Sequence, residues 1–323
     1  MSNLDRTPPL MRCGGTVAIS AEPTREIFPG REVLLGESTK VRRLLPNLGR
    51  RLVGAWCFVD HYGPDDIAAT DGMQVPPHPH MGLQTVSWLL DGEVHHRDSI
   101  GSDVVIQPGE LGLMTSGAAI THAEYSPVPH PVLLHGVQLW VALPGTALTT
   151  AAAWRHHRDL PVVTDSGVTV TVIMGSLGGA ESPGHAFTPL VGGDVAMRSG
   201  TATLLPLEPD FEHAVLVMSG AAEVDGVALE PGTMLYLGCA RRDLRLSART
   251  DCRLLLLGGE PFAEEIVMWW NFVGRGHTDI AAARDAWERG DRFGTVPDAG
   301  EPLAAPPLPA ARLRPGAATR RRT

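Results

Sequence analysis

Two pairs of residues in this chain could together bind a metal ion: His78 with His80, and His122 with Glu124. Within each pair the residues are two positions apart, and side chains two apart on an extended strand point to the same face. Three imidazoles and one carboxylate are donors that suit Fe, Mn, Ni, Cu or Zn, and four protein ligands on an octahedral ion leave positions open for substrate or oxygen. The spacing predicts a catalytic metal site if the fold brings the two pairs together.

The simplest alternative is that these residues are ordinary core histidines. The chain contains 13 histidines, so that pairs two apart also arise by chance. A single buried histidine is more often a hydrogen-bonded core residue than a ligand. The sequence around the two pairs therefore has to decide between these interpretations.

The elements that would position these residues are short strands. Hydrophobic residues make up 43% of the chain, and 36 Gly and 27 Pro favour tight turns over long helices. Runs rich in Val, Ile, Leu and Thr end in the turn signals Asp91-Gly92, Pro108-Gly109, Pro144-Gly145 and Ser219-Gly220. This pattern predicts an all-β fold of antiparallel hairpins, closing into a sandwich or a barrel.

The second half of the chain repeats the order of turns found in the first half. Gly92 corresponds to Gly220, and Pro108-Gly109 corresponds to Pro231-Gly232. Two copies of one β-barrel unit would account for a chain of 323 residues. The second copy lacks the ligand set, because the four matching positions hold Pro206, Glu208, Arg245 and Ser247. We therefore expect one metal in the N-terminal barrel and none in the C-terminal barrel.

Helix signals are few, and the best of them covers Thr278 to Gly290. Thr278 or Asp279 can cap its start, Gly290 can end it, and one face carries Ile280, Ala283 and Trp287. The expected organisation is a disordered N-terminus over 1–12, a metal-binding barrel over 13–148, a barrel without metal ligands over 149–292, and a tail rich in Pro, Ala and Arg over 293–323.

Composition argues against several classes of partner. The net charge of −9 opposes attraction to nucleic acid or to an anionic membrane, and Lys40 is the only lysine among 27 basic residues. The Arg-rich end from Arg312 to Arg322 predicts a disordered tail, with a nucleic-acid-binding arm as the less favoured alternative. The chain shows no secretion signal, no stretch long enough to span a bilayer and no Cys-x-x-Cys spacing. These features predict a soluble protein of the reducing cytoplasm.

A long, ordered set of motifs resembles the pirin branch of the cupin superfamily. The resemblance covers most of the chain from about Ala18 to Phe293, through the segments Pro77–Val86, His96–Ser99, Pro108-Gly109, Met114–Gly117, His122–Glu124, Leu139–Val141, Gly259–Pro261 and Asn271–Val273. It implies a bicupin whose N-terminal barrel holds one divalent ion on the residues matching His78, His80, His122 and Glu124. Fe(II) is the expected ion, with Mn, Ni, Cu, Zn and Co as alternatives.

The resemblance implies two different functions. Some family members are similar in activity to quercetin 2,3-dioxygenase, which opens a flavonol ring with O₂ and releases carbon monoxide. Eukaryotic members bind transcription factors and act as iron-dependent co-regulators. We favour the dioxygenase, acting on a flavonol or a related small molecule with O₂, because an open coordination sphere is costly to keep for binding alone. A protein-binding co-regulator without turnover is the alternative, and a barrel that acts on an unrelated small molecule is the third interpretation.

Expectations for single residues follow from the same strand geometry. Glu124 could serve as a ligand and as the base that takes the substrate's 3-hydroxyl proton, or its role could be purely structural. Two positions depart from the family pattern: Met81 stands where Arg is common, and Gln84 stands where Glu is common. Gln84 is expected to share a face with His78 and His80 and to point into the barrel near the metal.

Other polar and aromatic residues are expected to lie outside the ligand set. We interpret His96, with Arg97 and Asp98, as part of a polar network at the surface or at the rim of the barrel. Asp60-His61 and His156-His157 are expected to be solvated. Three strand residues are candidates to line the cavity, although aromatic strand residues are more often core: Trp88, Gln138 and Trp140.

Overall fold

The computed structural model describes residues 11–13, 23–35, 39–47 and 49–315. Strands dominate this part of the chain, with one helix, α1 (His277–Glu288), and a single 3₁₀ turn at Gly145–Ala147. The strands are β1 (Met11–Cys13), β2 (Glu26–Pro29), β3 (Arg31–Leu35), β4 (Thr39–Leu45), β5 (Trp56–Asp66), β6 (Gln74–His80), β7 (Leu83–Asp91), β8 (Val94–Asp98), β9 (Asp103–Ile106), β10 (Leu111–Thr115), β11 (Ile120–Tyr125), β12 (Leu133–Ala142), β13 (Ala153–His157), β14 (Val162–Asp165), β15 (Val168–Leu177), β16 (Ala180–Glu181), β17 (Leu190–Met197), β18 (Ala202–Pro206), β19 (Glu212–Ser219), β20 (Ala222–Val224), β21 (Val227–Leu229), β22 (Thr233–Gly238), β23 (Asp243–Ala248), β24 (Cys252–Gly259), β25 (Ile266–Trp269) and β26 (Phe272–Gly274).

The N-terminal domain is built from a large and a small antiparallel sheet. The large sheet has the order β13-β10-β7-β12-β5-β4-β3, and the small sheet has the order β6-β11-β8-β9. Val41 and Tyr62 from the large sheet share a hydrophobic cluster with Val75 and Val94 from the small one. The two sheets therefore form a jelly-roll sandwich around an interior, without joining into one closed ladder. The predicted all-β fold is confirmed.

The C-terminal domain repeats this architecture. Its large sheet has the order β14-β15-β17-β24-β19-β22-β2, and its small sheet has the order β18-β23-β20-β21. The matched glycines also agree: Gly92 and Gly220 have φ of 87° and 72°, a conformation in which side chains are strained. The internal repeat inferred from the turns is therefore confirmed at the level of strand order.

The residue-by-residue match between the copies was out of register. Pro206 and Arg245, which the turns placed opposite His78 and His122, are both exposed. Leu205 pairs with Leu244 instead, and both are buried in the apolar core of the C-terminal domain. For Pro206 the count failed because five residues, 207–211, connect β18 to β19, whereas two residues, 81–82, connect β6 to β7.

Each domain contributes an edge strand to the other. β2 precedes the N-terminal domain in sequence but pairs with β22 of the C-terminal domain. β13 lies beyond the expected boundary between 148 and 149, yet it pairs with β10 of the N-terminal domain. The two domains are therefore interleaved along the chain rather than joined at a single linker.

A continuous core joins the two domains. Trp56 of β5 is fully buried, and its indole N–H lies 3.2 Å from the carbonyl oxygen of Val191 and 3.1 Å from that of Gly258. Trp88 donates to Asp194 Oδ2 at 2.9 Å, and the same carboxylate accepts from Arg253. Because the bonds of Trp56 and Trp88 are buried and cross between domains, they fix the two sheets relative to one another.

The predicted helix is present, one residue earlier than expected at its start. Asp279 caps it by accepting hydrogen bonds from the backbone amides of Arg275 (2.7 Å) and Gly276 (3.1 Å). Its buried residues are Ile280, Ala283 and Ala286, which pack against the aromatic residues of β25 and β26. No helix among the described residues is both long and apolar enough to cross a membrane.

Residues 293–315, expected to form a tail, lie against the outer face of the small N-terminal sheet. Thr121 donates to the carbonyl oxygens of Phe293 (3.1 Å) and Gly294 (3.0 Å), and Leu303 donates its amide to Pro77 at 2.8 Å. We call residues 293–315 the C-terminal strap. The other part of the expected tail, 316–323, lies outside the described residues, as do residues 1–10 of the expected N-terminus. Met11 and Arg12 form part of β1, which pairs with β25.

Candidate metal centre

The three predicted histidine ligands converge in the interior of the N-terminal domain. β6 and β11 are neighbours in the small sheet, and His122 lies directly opposite His78. The ring centroids are 4.3 Å apart for His78 and His122, 5.0 Å for His78 and His80, and 4.9 Å for His80 and His122. One nitrogen from each ring lies within 4.8 Å of the others, a spacing that could hold a metal ion.

Local sequence explains why β6 can present two histidines to one side. β6 is an edge strand whose one partner among the described strands is β11, and its prolines, which lack an N–H, are tolerated at such an edge. Pro79 separates the two histidines and turns away from the interior. Gly82 then allows the chain to leave for the other sheet, because its φ is +74° and a Cβ there would lie 2.0 Å from the Val273 carbonyl oxygen.

Glu124 joins the site through His122. It is 1% exposed, and its carboxylate lies within 4.8 Å of donor atoms of His122 and His96. Its charge also acts on two neighbours. Burial lowers the pKa of His78, and Glu124 partly offsets that effect. Burial raises the pKa of Tyr62 well above its usual range, and Glu124 raises it further.

The electrostatics of the three imidazoles favour neutral rings with available lone pairs. Burial lowers the pKa of His78 to about 4 and holds the pKa values of His80 and His122 well below their usual range. His78 Nδ1 lies 2.8 Å from the carbonyl oxygen of Pro76, which leaves Nε2 as its acceptor nitrogen. His122 Nε2 is buried without a hydrogen-bond partner among the described residues. Neutral imidazoles and a carboxylate suit a divalent transition metal, so the residues fit the ion expected from the sequence.

Two of the three expected cavity residues face this interior. Trp140 lies against the site, with its ring centroid 5.2 Å from that of His80, and it stacks on Phe58 at 4.0 Å. Gln138 lies two residues earlier on β12, on the same face. Trp88 was wrongly placed in this group, because its indole donates to Asp194 of the C-terminal domain.

His96 was also interpreted wrongly, since it is buried inside the site rather than at a rim. β8 is the neighbour of β11, and His96 lies directly opposite Glu124, so that both face the interior. It is 1% exposed and stacks on Trp154 at 3.7 Å with a 9° angle between the planes. The signal was available in the sequence: His96 and Asp98 show the same two-residue spacing as the predicted ligands. His95, which directly precedes His96, points outward to Asp103.

Burial and hydrogen bonding compete at Asp98, the neighbour of His96. Burial raises the pKa of Asp98, but hydrogen bonds from His96 and Ser102 outweigh it, so the pKa lies below its usual value. Asp98 is therefore a carboxylate at neutral pH.

The two departures from the family pattern lie outside the cavity. Gln84 does not point toward the metal site, because its amide donates to Thr115 Oγ1 and to the carbonyl oxygen of His185, both at 3.0 Å. The expectation failed because β6 ends at His80 and Gln84 belongs to β7 in the other sheet. The two-residue alternation therefore does not continue from His80 to Gln84. Met81 packs in the cluster that covers α1, and Arg292 lies 3.1 Å from its sulfur.

Two further polar pairs were expected to be solvated, and the structure corrects both. Asp60 is fully buried and pairs with Arg43 through two 2.8 Å contacts. His61 is 2% exposed, with its Nε2 3.0 Å from His135 Nε2. His156 and His157 are half-buried on β13, and His156 lies 2.7 Å from Glu110.

The buried histidines predict that acid destabilises the metal-free protein. Burial lowers the pKa of His61 to about 3, with His135 and Arg42 adding to the effect, and it lowers the pKa values of His78 and His213 to about 4. The unfolded chain, with histidine pKa values near 6.5, binds more protons below that pH. Stability should therefore be complete above pH ~6.5 and fall by about 1.4 kcal/mol per histidine for each pH unit below it, until the folded pKa is reached.

Urea unfolding of the metal-free protein at pH 7 and pH 5 measures this effect. His213→Leu is the matched variant, because His213 is fully buried in the C-terminal domain beside Phe211 and its replacement removes one titrating group. We expect a shallower pH dependence for this variant. Equal free energies of unfolding at both pH values in the unmodified protein would contradict the prediction.

The fold and the site together define a bicupin, in which one cupin domain gathers imidazoles and the other has an apolar interior. Sequence comparison agrees: the Pirin family model matches residues 38–141, and the model of the Pirin C-terminal cupin domain matches residues 193–294. The chain belongs to the pirin family.

Individual relatives extend over most of the chain. A Pseudomonas aeruginosa protein provisionally named a quercetin 2,3-dioxygenase is 45% identical over 282 residues, covering 86% of this chain and 89% of its own length. The crystal structure of a quercetin 2,3-dioxygenase from Acinetobacter baumannii is 40% identical, covers 89% of this chain and 96% of its own, and superposes with a TM-score of 0.86. The Escherichia coli pirin YhhW in complex with nickel(II) shares the fold, with a TM-score of 0.58, 16% identity, and coverage of 74% and 100%.

Proposed function

We propose that this protein is a metal-dependent dioxygenase that opens the ring of a flavonol such as quercetin with O₂. The observation that carries the proposal is the convergence of three neutral imidazoles on one point of a buried interior. The two relatives that bear the name quercetin 2,3-dioxygenase support the reaction class. The proposed ligands are His78, His80, His122 and Glu124.

Fe(II) is the proposed ion, and the same donors accept Mn, Co, Ni, Cu and Zn. The Escherichia coli pirin YhhW, solved in complex with nickel(II), supports a divalent ion in this proposal. When bound, such an ion supplies Lewis acidity and open coordination positions for the substrate oxygens and O₂.

Glu124 is the proposed base for the substrate's 3-hydroxyl proton. Its carboxylate is 1% exposed and lies within 4.8 Å of the nitrogens of His96 and His122. A base at this place meets the substrate where water is excluded, so the proton passes directly to the carboxylate rather than to solvent.

The opposite wall of the cavity offers hydrogen-bond donors to the substrate. Trp140 Nε1 and Gln138 Nε2 are buried and have no hydrogen-bond partner among the described residues. Both residues lie on the interior face of β12. Donors held in a dry interior stabilise negative charge as it develops on a substrate oxygen, and they need not reorganise to do so.

The test is anaerobic purification, elemental analysis, and O₂ uptake with quercetin after loading with each divalent ion in turn. We expect one metal per chain and quercetin-dependent O₂ uptake with release of carbon monoxide. Absence of turnover across these ions and several polyphenols would overturn the dioxygenase and favour a protein-binding co-regulator without turnover.

Glu124→Gln should test the role of the carboxylate as a base separately from its role as a metal ligand. We expect kcat to fall by about 10²–10⁴-fold, because an amide cannot take the hydroxyl proton. Rates are compared per bound metal, which removes any effect of weaker metal retention. Glu110→Gln is the control, because Glu110 pairs with His156 of the edge strand β13 and belongs to neither group of metal-ligating side chains. An unchanged kcat per metal in Glu124→Gln would show that the carboxylate is not the base.

A further inference from the structure

We propose that His96 and Asp98 are positioning residues that fix the tautomer of His122, so that His122 Nε2 presents its lone pair to the metal. The inference rests on the metal site proposed above. It assigns a role to two buried residues that are not among the proposed ligands.

The geometry is a chain of three side chains across two strands. Asp98 lies opposite His122 in the pairing of β8 with β11, and His96 lies opposite Glu124, so all face the interior. His96 Nε2 lies 3.1 Å from Asp98 Oδ2, and His96 Nδ1 lies 3.4 Å from His122 Nδ1. His96 and Asp98 are 1% and 2% exposed, so water does not compete for these contacts.

Only one arrangement of protons satisfies these contacts when the rings are neutral. An ionised carboxylate can only accept, so His96 Nε2 must carry a hydrogen and donate to Asp98. The other nitrogen of a neutral ring is then an acceptor, and His96 Nδ1 accepts from His122 Nδ1–H. His122 Nε2 is left with its lone pair, and it is the nitrogen that lacks a partner among the described residues.

Both ends of this chain are held in place. Asp98 Oδ1 accepts from the backbone amides of Ile100 at 3.1 Å and Ser102 at 2.9 Å, which orients Oδ2 toward His96. Trp154 stacks on the His96 ring at 3.7 Å and 9°, which fixes the plane of the imidazole. His96 lies in a group with His122 and Glu124 that could hold a metal ion, but in this arrangement both of its nitrogens are engaged by other side chains, so we expect it to stay outside the coordination sphere.

His122 differs in this respect from the other two histidines. A backbone carbonyl oxygen accepts from the ring of each of these, Pro76 for His78 and Asn271 for His80. A carbonyl cannot donate and therefore enforces one tautomer by itself. An imidazole such as His96 can donate or accept, so it needs Asp98 to determine its direction.

The direct test is the tautomer of each ring, read from long-range ¹H–¹⁵N correlation spectra of protein labelled with ¹⁵N at histidine. We expect His122 to carry its proton on Nδ1 and His96 to carry its proton on Nε2, both in the metal-free protein and after loading with Zn(II). A proton on His122 Nε2 in the metal-free protein, or a metal-bound nitrogen signal from His96 after loading, would overturn the proposal.

Variants provide a second test by Zn(II) affinity, measured in competition with a chelator. In Asp98→Asn the amide oxygen can keep the bonds to Ile100 and Ser102, so the NH₂ group faces His96 and reverses the direction of both rings. We expect Asp98→Asn and His96→Leu to bind Zn(II) about 10–100-fold more weakly. His96→Gln should restore much of the loss, because its amide oxygen can accept from His122 Nδ1–H.

His95→Gln is the matched control, since His95 lies on the same strand and points outward to Asp103. Variants that all bind Zn(II) as tightly as His95→Gln would overturn the positioning role, while tight binding by the unmodified protein would leave the metal site intact. Failure of the unmodified protein to bind any divalent ion would refute the metal site itself, and the metal-free spectra would still decide the tautomers.

Discussion

His122→Ala protein should bind divalent metal more than about 100-fold less tightly than the unmodified protein. Loss of a hydrogen-bond partner of a ligand already costs about 10–100-fold in metal affinity, and loss of the ligand should cost more. His122 is the residue shared by both groups of metal-ligating side chains, so its removal separates His78 and His80 from Glu124. Elemental analysis after anaerobic purification, together with Zn(II) titration, measures the effect. O₂ uptake with quercetin should fall in parallel.

The matched control is His213→Ala, because His213 is equally buried but lies in the other domain. Both variants leave a cavity of the same size, so both are expected to lose folding stability. Only His122→Ala should lose metal. Unchanged metal content in His122→Ala, with the fold retained by circular dichroism, would refute the ligand assignment.

Ending the chain after Arg292 should destabilise the protein by at least about 3 kcal/mol. The C-terminal strap contributes Phe293 and Leu313, which are 2% and 5% exposed, and burial of each such side chain stabilises by about 1.5–3 kcal/mol. For a protein of this size the loss corresponds to a drop in Tm of roughly 4–5 °C. Because the strap covers the outer face of β6 and β11, the truncated protein should also bind Zn(II) more weakly. Calorimetry and the Zn(II) titration measure the two effects.

The control for this truncation ends the chain after Pro315. That shorter deletion retains every strap contact described above, including the bond from Leu303 to Pro77. We expect its Tm and its Zn(II) affinity to match those of the full chain. A truncation after Arg292 with the same Tm as this control would show that the strap contributes nothing to stability.

The sequence predicted the scaffold because its signals are local. Glycines at turns, such as Gly92 and Gly220, require backbone conformations that few other residues adopt, so their order along the chain reveals the repeat. The exchanged edge strands β2 and β13 could not be predicted, because a strand's partner depends on tertiary packing rather than on its own four or five residues. The strap gave no signal either, since its Pro and Ala residues resemble those of a disordered segment.

The sequence predicted which side chains face the interior where two-residue alternation stays within one strand. His78 with His80, and His122 with Glu124, meet that condition, and so do His96 and Asp98, whose spacing was overlooked. Gln84 fails it, because the chain changes sheets at Gly82 before reaching that residue. Asp60 and His61 were expected to be solvated because their partners, Arg43 and His135, are distant in sequence. Long-range pairing of polar groups therefore limited the prediction more than burial did.

The exchange of edge strands constrains how the chain can acquire its native structure. β2 is among the first strands to be synthesised, but it cannot pair until β22 has been synthesised, which happens after the whole N-terminal domain. Neither half is self-sufficient: a gene fragment that ends before β13 leaves the edge at β10 open, and one that begins after β2 leaves the edge at β22 open. Exposed edges recruit foreign strands, so separately produced halves would tend to aggregate unless they are combined. Exchange of a single cupin unit would consequently break a sheet edge in both domains of this architecture.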